Sequence, residues 1–297
     1  MLARLTNRIG YDERSAAILV LPVFVVLALV AIFPIVYSFY ISLYDINLTR
    51  PLRRPFVGFA NYTTIFTDPV FWTAVWRTTV YTIITVAVTA LLAVGVALLL
   101  NEAFPGRRVL SVMILLPWAT PSVVNGLMWK WIYDPNYGLL NATLVQVGLT
   151  ERYKIWLGDP DKTIFMIANA AVWKQMPLAA ILILVTMKAI STDLYRAASS
   201  DGANVLQRFL HVTLPGLKPG LMMVLVYETT ISIRHFDLFL IMTQGGPGDA
   251  SYVLSWQIYV ETFRSLRFGT GAALAYVLAM GTFAFAYLFI RTLGRRV

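Results

Sequence analysis

The residues with chemical capacity in this chain are few and sit in unusual company. Lys174 and Gln175, with Pro177 just beyond, interrupt one apolar run; Glu228, Ser232, Arg234, His235 and Asp237 interrupt another. Lys and Arg can hold an anion, carboxylates and amides can hold hydroxyl groups, and His can do either according to its protonation. An ionisable group among membrane-length apolar residues costs about 2.5–3.5 kcal/mol on insertion scales, so each one points to a function or to a partner. On a continuous helix Glu228, Ile231, Ser232 and His235 share one stripe at i, i+3, i+4 and i+7, while Arg234 and Asp237 lie three apart on another face. Two uses stay open. The groups contact a small solute, where a pair of cations such as Lys174 and Arg234 suits an anionic one, or Lys174 and Glu228 form an interhelical ion pair.

Other chemistries lack their residues. There is no Cys, which excludes disulfides, thiolate metal centres and cysteine nucleophiles. The only two His, at 211 and 235, form no H-x-x-x-H pattern, and no D-D-x-x-D pattern occurs. This argues against a metal site and against an integral membrane enzyme. No G-x-x-x-x-G-K-[ST] phosphate loop occurs, so ATP hydrolysis would belong to another chain.

The elements that carry these residues are membrane spans. Of 297 residues 58% are hydrophobic and 13% charged, against about 45–50% and 25% in soluble domains. That composition excludes an ordinary soluble enzyme and a disordered chain. A bilayer core needs about 20 apolar helical residues. Ser15–Tyr44, Thr78–Asn101, Val109–Trp129 and Phe268–Ile290 contain no charge at all. Thr163–Met187 and Pro219–Thr243 are apolar but interrupted. The reading is an all-α polytopic membrane protein with six transmembrane helices. The first run is too long for a cleavable signal, and Pro22 and Pro34 are tolerable within it. An even number of spans puts both termini on one side. With that side cytoplasmic, inside segments hold 12 Lys and Arg and outside loops hold 8, in the sense of the positive-inside rule. The outside segments Phe56–Trp72 and Tyr133–Asp161 are rich in aromatic residues, Pro and Asn and read as ordered surface. Three glycosylation triplets begin at Asn47, Asn61 and Asn141. The interrupted spans are consecutive, which fits poorly with the inverted repeats of secondary transporters.

The longest inside segment runs from Asp193 to Pro219. It reads as a short helix, a break and a second short helix, with Asp193 as cap, Gly202 as terminator, and Pro215 and Pro219 as stops. Leu194, Ala197 and Ala198 share a face. Spacing alone leaves two readings, a packed connector and a docking element.

Ala197-Ala198-x-x-Asp201-Gly202-Ala203, followed by Thr213-Leu214-Pro215, resembles the EAA loop of permease subunits of bacterial ABC importers. Val57-Gly58-Phe59-Ala60-Asn61-Tyr62, and Phe236-Asp237 followed by Thr243-Gln244-Gly245-Gly246-Pro247, resemble segments of the MalF-like carbohydrate branch, the maltose, glycerol-3-phosphate and multiple-sugar type. The resemblance covers nearly the whole chain. It departs at Arg196, where the family usually has Glu, and at Ser191, where it usually has Pro. The resemblance implies a type I ABC importer permease fold in the bacterial inner membrane. Residues 1–74 would hold the cytoplasmic N-terminus, first helix and external segment. Residues 75–291 would form a five-helix core containing a coupling loop at 190–218, and 292–297 a cytoplasmic tail. It implies ATPase coupling through Tyr195, Arg196, Ala197, Ala198, Asp201, Gly202, Ala203, Phe209, Leu214 and Pro215. Lys174, Gln175 and Leu178 on one span, and Glu228, Ile231, Ser232 and His235 on the next, would line the solute path, with Arg234 added from its charge. The implied partners are a second homologous permease, two ATPase subunits, an extracytoplasmic solute-binding protein, the bilayer and a small-molecule solute, with no nucleic acid. No cofactor would be bound by this chain; ATP and Mg would be used by the partner ATPase. The solute would be a sugar or sugar derivative, or alternatively an anionic one such as a sugar phosphate, sulfonate or glycerophosphodiester.

Overall fold

The computed structural model of the chain describes residue 16 and residues 18–293. Arg4, Arg8, Arg14, Arg295 and Arg296, counted above as inside-facing, lie outside the described residues, as does Ser15 at the start of the first apolar run. Among the described residues the only extended pairings are two isolated bridges, Tyr44 with Phe56 and Asn47 with Arg267; everything else regular is helical. Four helices are long and apolar enough to cross a bilayer, and two bent helix pairs bring the spans to six if each pair counts as one.

The described residues up to Ile65, together with Glu261–Tyr276, form one compact unit. Its main element is α1, Ile18–Ser42, apolar throughout and with its side chains exposed until the last turn, where Ser42 is buried. The chain beyond it is held by a clip. Asn61 Nδ2 donates to the carbonyls of Ser42 at 2.7 Å and Tyr44 at 3.0 Å, and Tyr62 OH meets Ser42 Oγ at 2.7 Å. Asn61 lies in the first turn of helix α2, Ala60–Thr67, so the Val57–Tyr62 motif folds the segment after the first span back onto that span's end. A side chain at Gly269 would strike the Tyr44 carbonyl and approach Ile46 N at 3.2 Å.

Phe66–Val260 and the described residues from Val277 to Leu293 form the second unit. Asp68 caps α3, Pro69–Asn101, by accepting from Val70 N at 2.9 Å. The third span is not one helix. It is α4, Arg107–Ala119, and α5, Ser122–Ile132, bent by 95°. The break follows from Pro121: Thr120 before it is extended, as a residue preceding Pro must be, and Pro121 itself has φ −57° and ψ 141°. Hydropathy summed over Val109–Trp129 carries no information about direction, so the break is invisible to it. After α5 comes α6, Leu139–Gln146, which packs beside a loop whose hub is the fully buried Asn141. Its Oδ1 accepts from Lys154 N at 3.0 Å and Trp156 Nε1 at 2.9 Å, and its Nδ2 donates to Asp134 O and Lys154 O. The amides of Asn61 and Asn141 are thus committed to the fold, which removes two of the three glycosylation candidates.

The fourth span is the single helix α7, Pro160–Lys188, with Pro177 buried inside it. Asp159 caps it, and the hydrogen bond from Lys162 holds the Asp159 carboxyl below the usual carboxylate range. After α7 come α8, Thr192–Ser200, and α9, Val205–Gly216, the latter bent by 62° against α10, Lys218–Ile233. Two proline assignments change here. Pro215 does not stop α9; it follows a π-turn at Phe209–Thr213 and sits in the last helical turn. Pro219 starts α10, at a first-turn position where a missing N–H costs nothing. The fifth span also ends early. Its helix stops at Ile233, and α11, Asp237–Met242, restarts after a break. Then follow α12, Leu254–Tyr259, and the last span α13, Phe268–Leu293.

The second unit has two cores. One gathers Tyr81, Tyr133, Ile167, Leu238, Phe239 and Trp256. The other gathers Ala93, Ala97, Leu100, Ala180, Ile183 and Leu217, where alanines on α3 and α7 let the two backbones come close. At Gly220 a side chain would run into Thr186, its Cβ 2.8 Å away, so α10 and α7 also meet through a small residue.

Candidate functional site

The elbow between the fourth and fifth spans is stabilised almost wholly by itself. Ser191, not Asp193, is the cap of α8: Ser191 Oγ accepts from Asp193 N at 3.3 Å. Asp193 lies in the first turn, where a carboxylate favours the helix dipole, and it accepts from Arg196 Nη1 at 3.2 Å. Both partners are about four-fifths exposed, so the pair contributes less than about 1 kcal/mol. The far end closes with Gly202 at φ +79°. Gly202 N donates to Ser199 O at 3.1 Å and Ala203 N to Ala198 O at 2.9 Å, the paired bonds of a Schellman end. A Cβ on Gly202 would meet nothing within 4 Å. Within this chain the glycine is needed for its backbone conformation, not for clearance. Asn204 and Gln207 then form a reciprocal capping box at 2.9 and 2.8 Å. Two bonds tie the helices together, Arg208 Nη1 to Ser199 Oγ at 3.0 Å and Tyr195 OH with Thr213 Oγ1 at 3.1 Å.

What the elbow lacks is a core. No residue of α8 is buried. Leu194, Ala197, Val205 and Leu206 are exposed, as are Arg196, Asp201, Leu214 and Pro215, while Tyr195, Ala198, Ala203 and Phe209 are half-buried. The apolar side of this pair of helices is left uncovered by the rest of the chain.

The polar residues of the spans fall in two places. In the interior, α3 packs along α7 and both pack on α10. These helices carry a buried column of oxygens: Thr78, Thr82, Thr85 and Thr89 at helical spacing on α3, Gln175 on α7, Glu228 and Ser232 on α10. Thr78 Oγ1 accepts from Leu254 N at 2.9 Å. The hydroxyls of Thr82, Thr89 and Ser232, Gln175 Oε1 and both oxygens of Glu228 have no protein partner. A buried oxygen left so costs about 1–3 kcal/mol, so their concentration on one seam marks it as more than packing. At the end of the seam His235 lies beyond the helix, anchored by Tyr81 OH on Nδ1 at 2.7 Å and by Ser255 Oγ on its carbonyl at 2.7 Å.

The other place is open. Ile231 and Arg234, with Met223, Tyr227 and Thr230, line a groove of about 540 Å³ along the outer side of α10. Arg234 Nε donates to Thr230 O at 3.0 Å. Lys174 and Leu178 are half-buried on α7. The stripe read as one from the sequence is therefore divided, with Ile231 outside, Glu228 and Ser232 inside, and His235 off the helix. The interhelical ion pair considered above is not present among the described residues. No ion pair among them joins Lys174 to Glu228 or Arg234 to Asp237. The sequence reading passed over Tyr81 and the threonines. Their signal was there, in hydroxyls recurring every three or four residues from 78 to 89, but uncharged groups do not stand out in an apolar run.

A family model described as binding-protein-dependent transport system inner membrane component matches residues 90–297. The sulfoquinovosyl glycerol transport system permease protein SmoG of Agrobacterium fabrum is 35% identical, over 93% of this chain and 90% of that protein. The trehalose/maltose transport system permease protein MalF of Thermococcus litoralis is 33% identical, over 97% of this chain and 96% of its own length. A chain from the crystal structure of a bacterial ABC transporter involved in import of the acidic polysaccharide alginate superposes with a TM-score of 0.82 at 20% identity, covering 98% of this chain and 99% of that one.

Proposed function

This chain belongs to the family of binding-protein-dependent transport system inner membrane components, and from that premise we propose that it forms, with a homologous permease, the path by which an ATP-driven importer takes in a sugar or sugar derivative. It is a transport subunit, not an enzyme. A solute-binding protein delivers the solute from outside, and two ATPase subunits, which hold the ATP and Mg, drive the cycle. The observation that carries this reading is the elbow Ser191–Gly216, whose α8 is closed at both ends and whose α9 opens on a capping box, yet without a buried residue in α8. Seated in the ATPase, it transmits closure of the ATPase pair to the rigid ends of α7 and α10, and the spans shift between two packings. Both termini and the elbow face the cytoplasm. The core at 75–291 does the transport.

For the path we propose Lys174, Leu178, Ile231 and Arg234 as the groups that meet solute directly. Gln175, Glu228, Ser232 and His235 stand behind them on the buried seam and reach solute when α3 and α10 part. A second reading, an anionic sugar derivative, is favoured by Lys174 and Arg234, cations without a carboxylate in ion-pair range among the described residues.

The test is reconstitution of the complete transporter in liposomes with its binding protein outside. ATP-dependent uptake of a labelled sugar supports the reading; uptake by this chain alone, without nucleotide, refutes it. Lys174→Met separates the two solute classes, since it lowers apparent affinity for an anionic solute far more than for a neutral one.

A further inference from the structure

One basic cluster lies outside the elbow and the solute path proposed above. Arg107 and Arg108 begin α4, directly after Gly106 in a left-handed turn at φ +83°. Arg107 Nη1 reaches only the Glu102 carbonyl, at 3.5 Å. Neither guanidinium is paired with a carboxylate among the described residues. Both line a groove of about 800 Å³ whose other walls, Ser111 apart, are apolar, with Phe104, Val112, Leu115 and Ile181 among them. The groove lies at the elbow end of the spans, since Phe104 and Ile190, just before α8, pack on the same buried cluster as Leu100 and Leu217.

An apolar slot along a span that opens on two unneutralised cations at its end matches one abundant class of molecule, a lipid with a negatively charged headgroup. We propose that this groove binds an anionic phospholipid of the cytoplasmic leaflet, its phosphate between Arg107 and Arg108 and an acyl chain along Val112, Leu115 and Ile181. The sidedness rests on the reading that the elbow faces the cytoplasm. A basic residue near a membrane surface contributes about 1 kcal/mol toward an anionic lipid. Two of them, at 1.4 kcal/mol per decade, correspond to a preference of about 30-fold.

The experiment uses the complete transporter in detergent micelles, with spin-labelled phosphatidylglycerol and phosphatidylcholine as probes and ATP-dependent uptake by the same preparation after reconstitution as a control. The wild type is expected to retain phosphatidylglycerol about 30-fold better than phosphatidylcholine, and Arg107→Gln with Arg108→Gln to erase that preference. Val112→Trp, which fills the slot and keeps both charges, is expected to displace the lipid as well. Equal retention of the two lipids by the wild type overturns the proposal, as does an unchanged preference in the double variant. Displacement by millimolar inorganic phosphate alone also overturns it, because the site would then take a free anion. So does full crosslinking of a cysteine at Val112 to a neighbouring subunit, because the slot would then hold protein. A preparation that shows the lipid preference but no uptake defeats the transport reading instead.

Discussion

Gly202 offers the sharpest test of how the elbow works. Its φ of +79° is a region that costs an L-residue roughly 1–2 kcal/mol, less for Asn. A nine-residue helix is marginal alone, and with no buried residue in α8 nothing from the core offsets the loss. Gly202→Ala should therefore lower the population of the ordered elbow about 5- to 30-fold, with no effect on the spans. Because a Cβ there meets nothing within 4 Å, the loss on this account is conformational and Gly202→Asn should recover most of it. Hydrogen exchange at the amides of 198–203 in the purified transporter reads the elbow directly, and ATP-dependent uptake at matched membrane levels reads the consequence. Faster exchange and reduced uptake in Gly202→Ala, both largely restored in Gly202→Asn, is the expected result. If Asn and Ala abolish uptake alike while exchange stays at the wild-type rate, the glycine serves a contact with the ATPase and the backbone argument is wrong. Gly202→Trp should fail on either account, with the protein still in the membrane.

Other substitutions test the remaining parts. Gly245→Ala combines φ +88° with a Cβ 2.5 Å from Trp256 Nε1, and should lower the melting temperature by the equivalent of at least about 2 kcal/mol; an unchanged melt would refute the crowding. Asn141→Ala strips four hydrogen bonds from the loop around it, at about 1–3 kcal/mol for each buried group orphaned, and should open Tyr133–Trp156 to limited proteolysis before the spans. Glu228→Gln keeps the shape of a fully buried side chain and should leave the protein folded, whereas Glu228→Lys places a charge there and should abolish accumulation in the membrane; equal yields of the two would show the seam to be hydrated. An impermeant thiol reagent should fail to label Arg196→Cys from outside intact cells, and labelling would reverse the topology.

Most spans were legible because the bilayer imposes one requirement, about 20 apolar residues, that composition meets openly. Their breaks were not. Pro121 interrupts a run that is uniformly apolar, and the stop at Ile233 comes where His235 is engaged by Tyr81 and Ser255, 154 and 20 residues away in sequence. Caps were half legible. Gly202 announces its own end, but Ser191 and Asp193 are both acceptable caps, and only geometry decides that Ser191 takes the place. Glu228 was visible because a charge stands out among Val and Ile. Thr82 and Thr89 were not, since a hydroxyl in a helix ordinarily bonds the preceding turn, and that theirs do not is a fact of packing.

The uncovered flank of α8 has a further consequence. A stretch with no side chain fully buried in its own protein answers chiefly to whatever takes hold of it. Changes at such positions leave the rest of the molecule standing, so two interlocking proteins can drift in step, each substitution on one matched by a reply on the other. Such a joint is free to diverge between related machines, and subunits borrowed from a cousin would then fold, insert and still fail to engage.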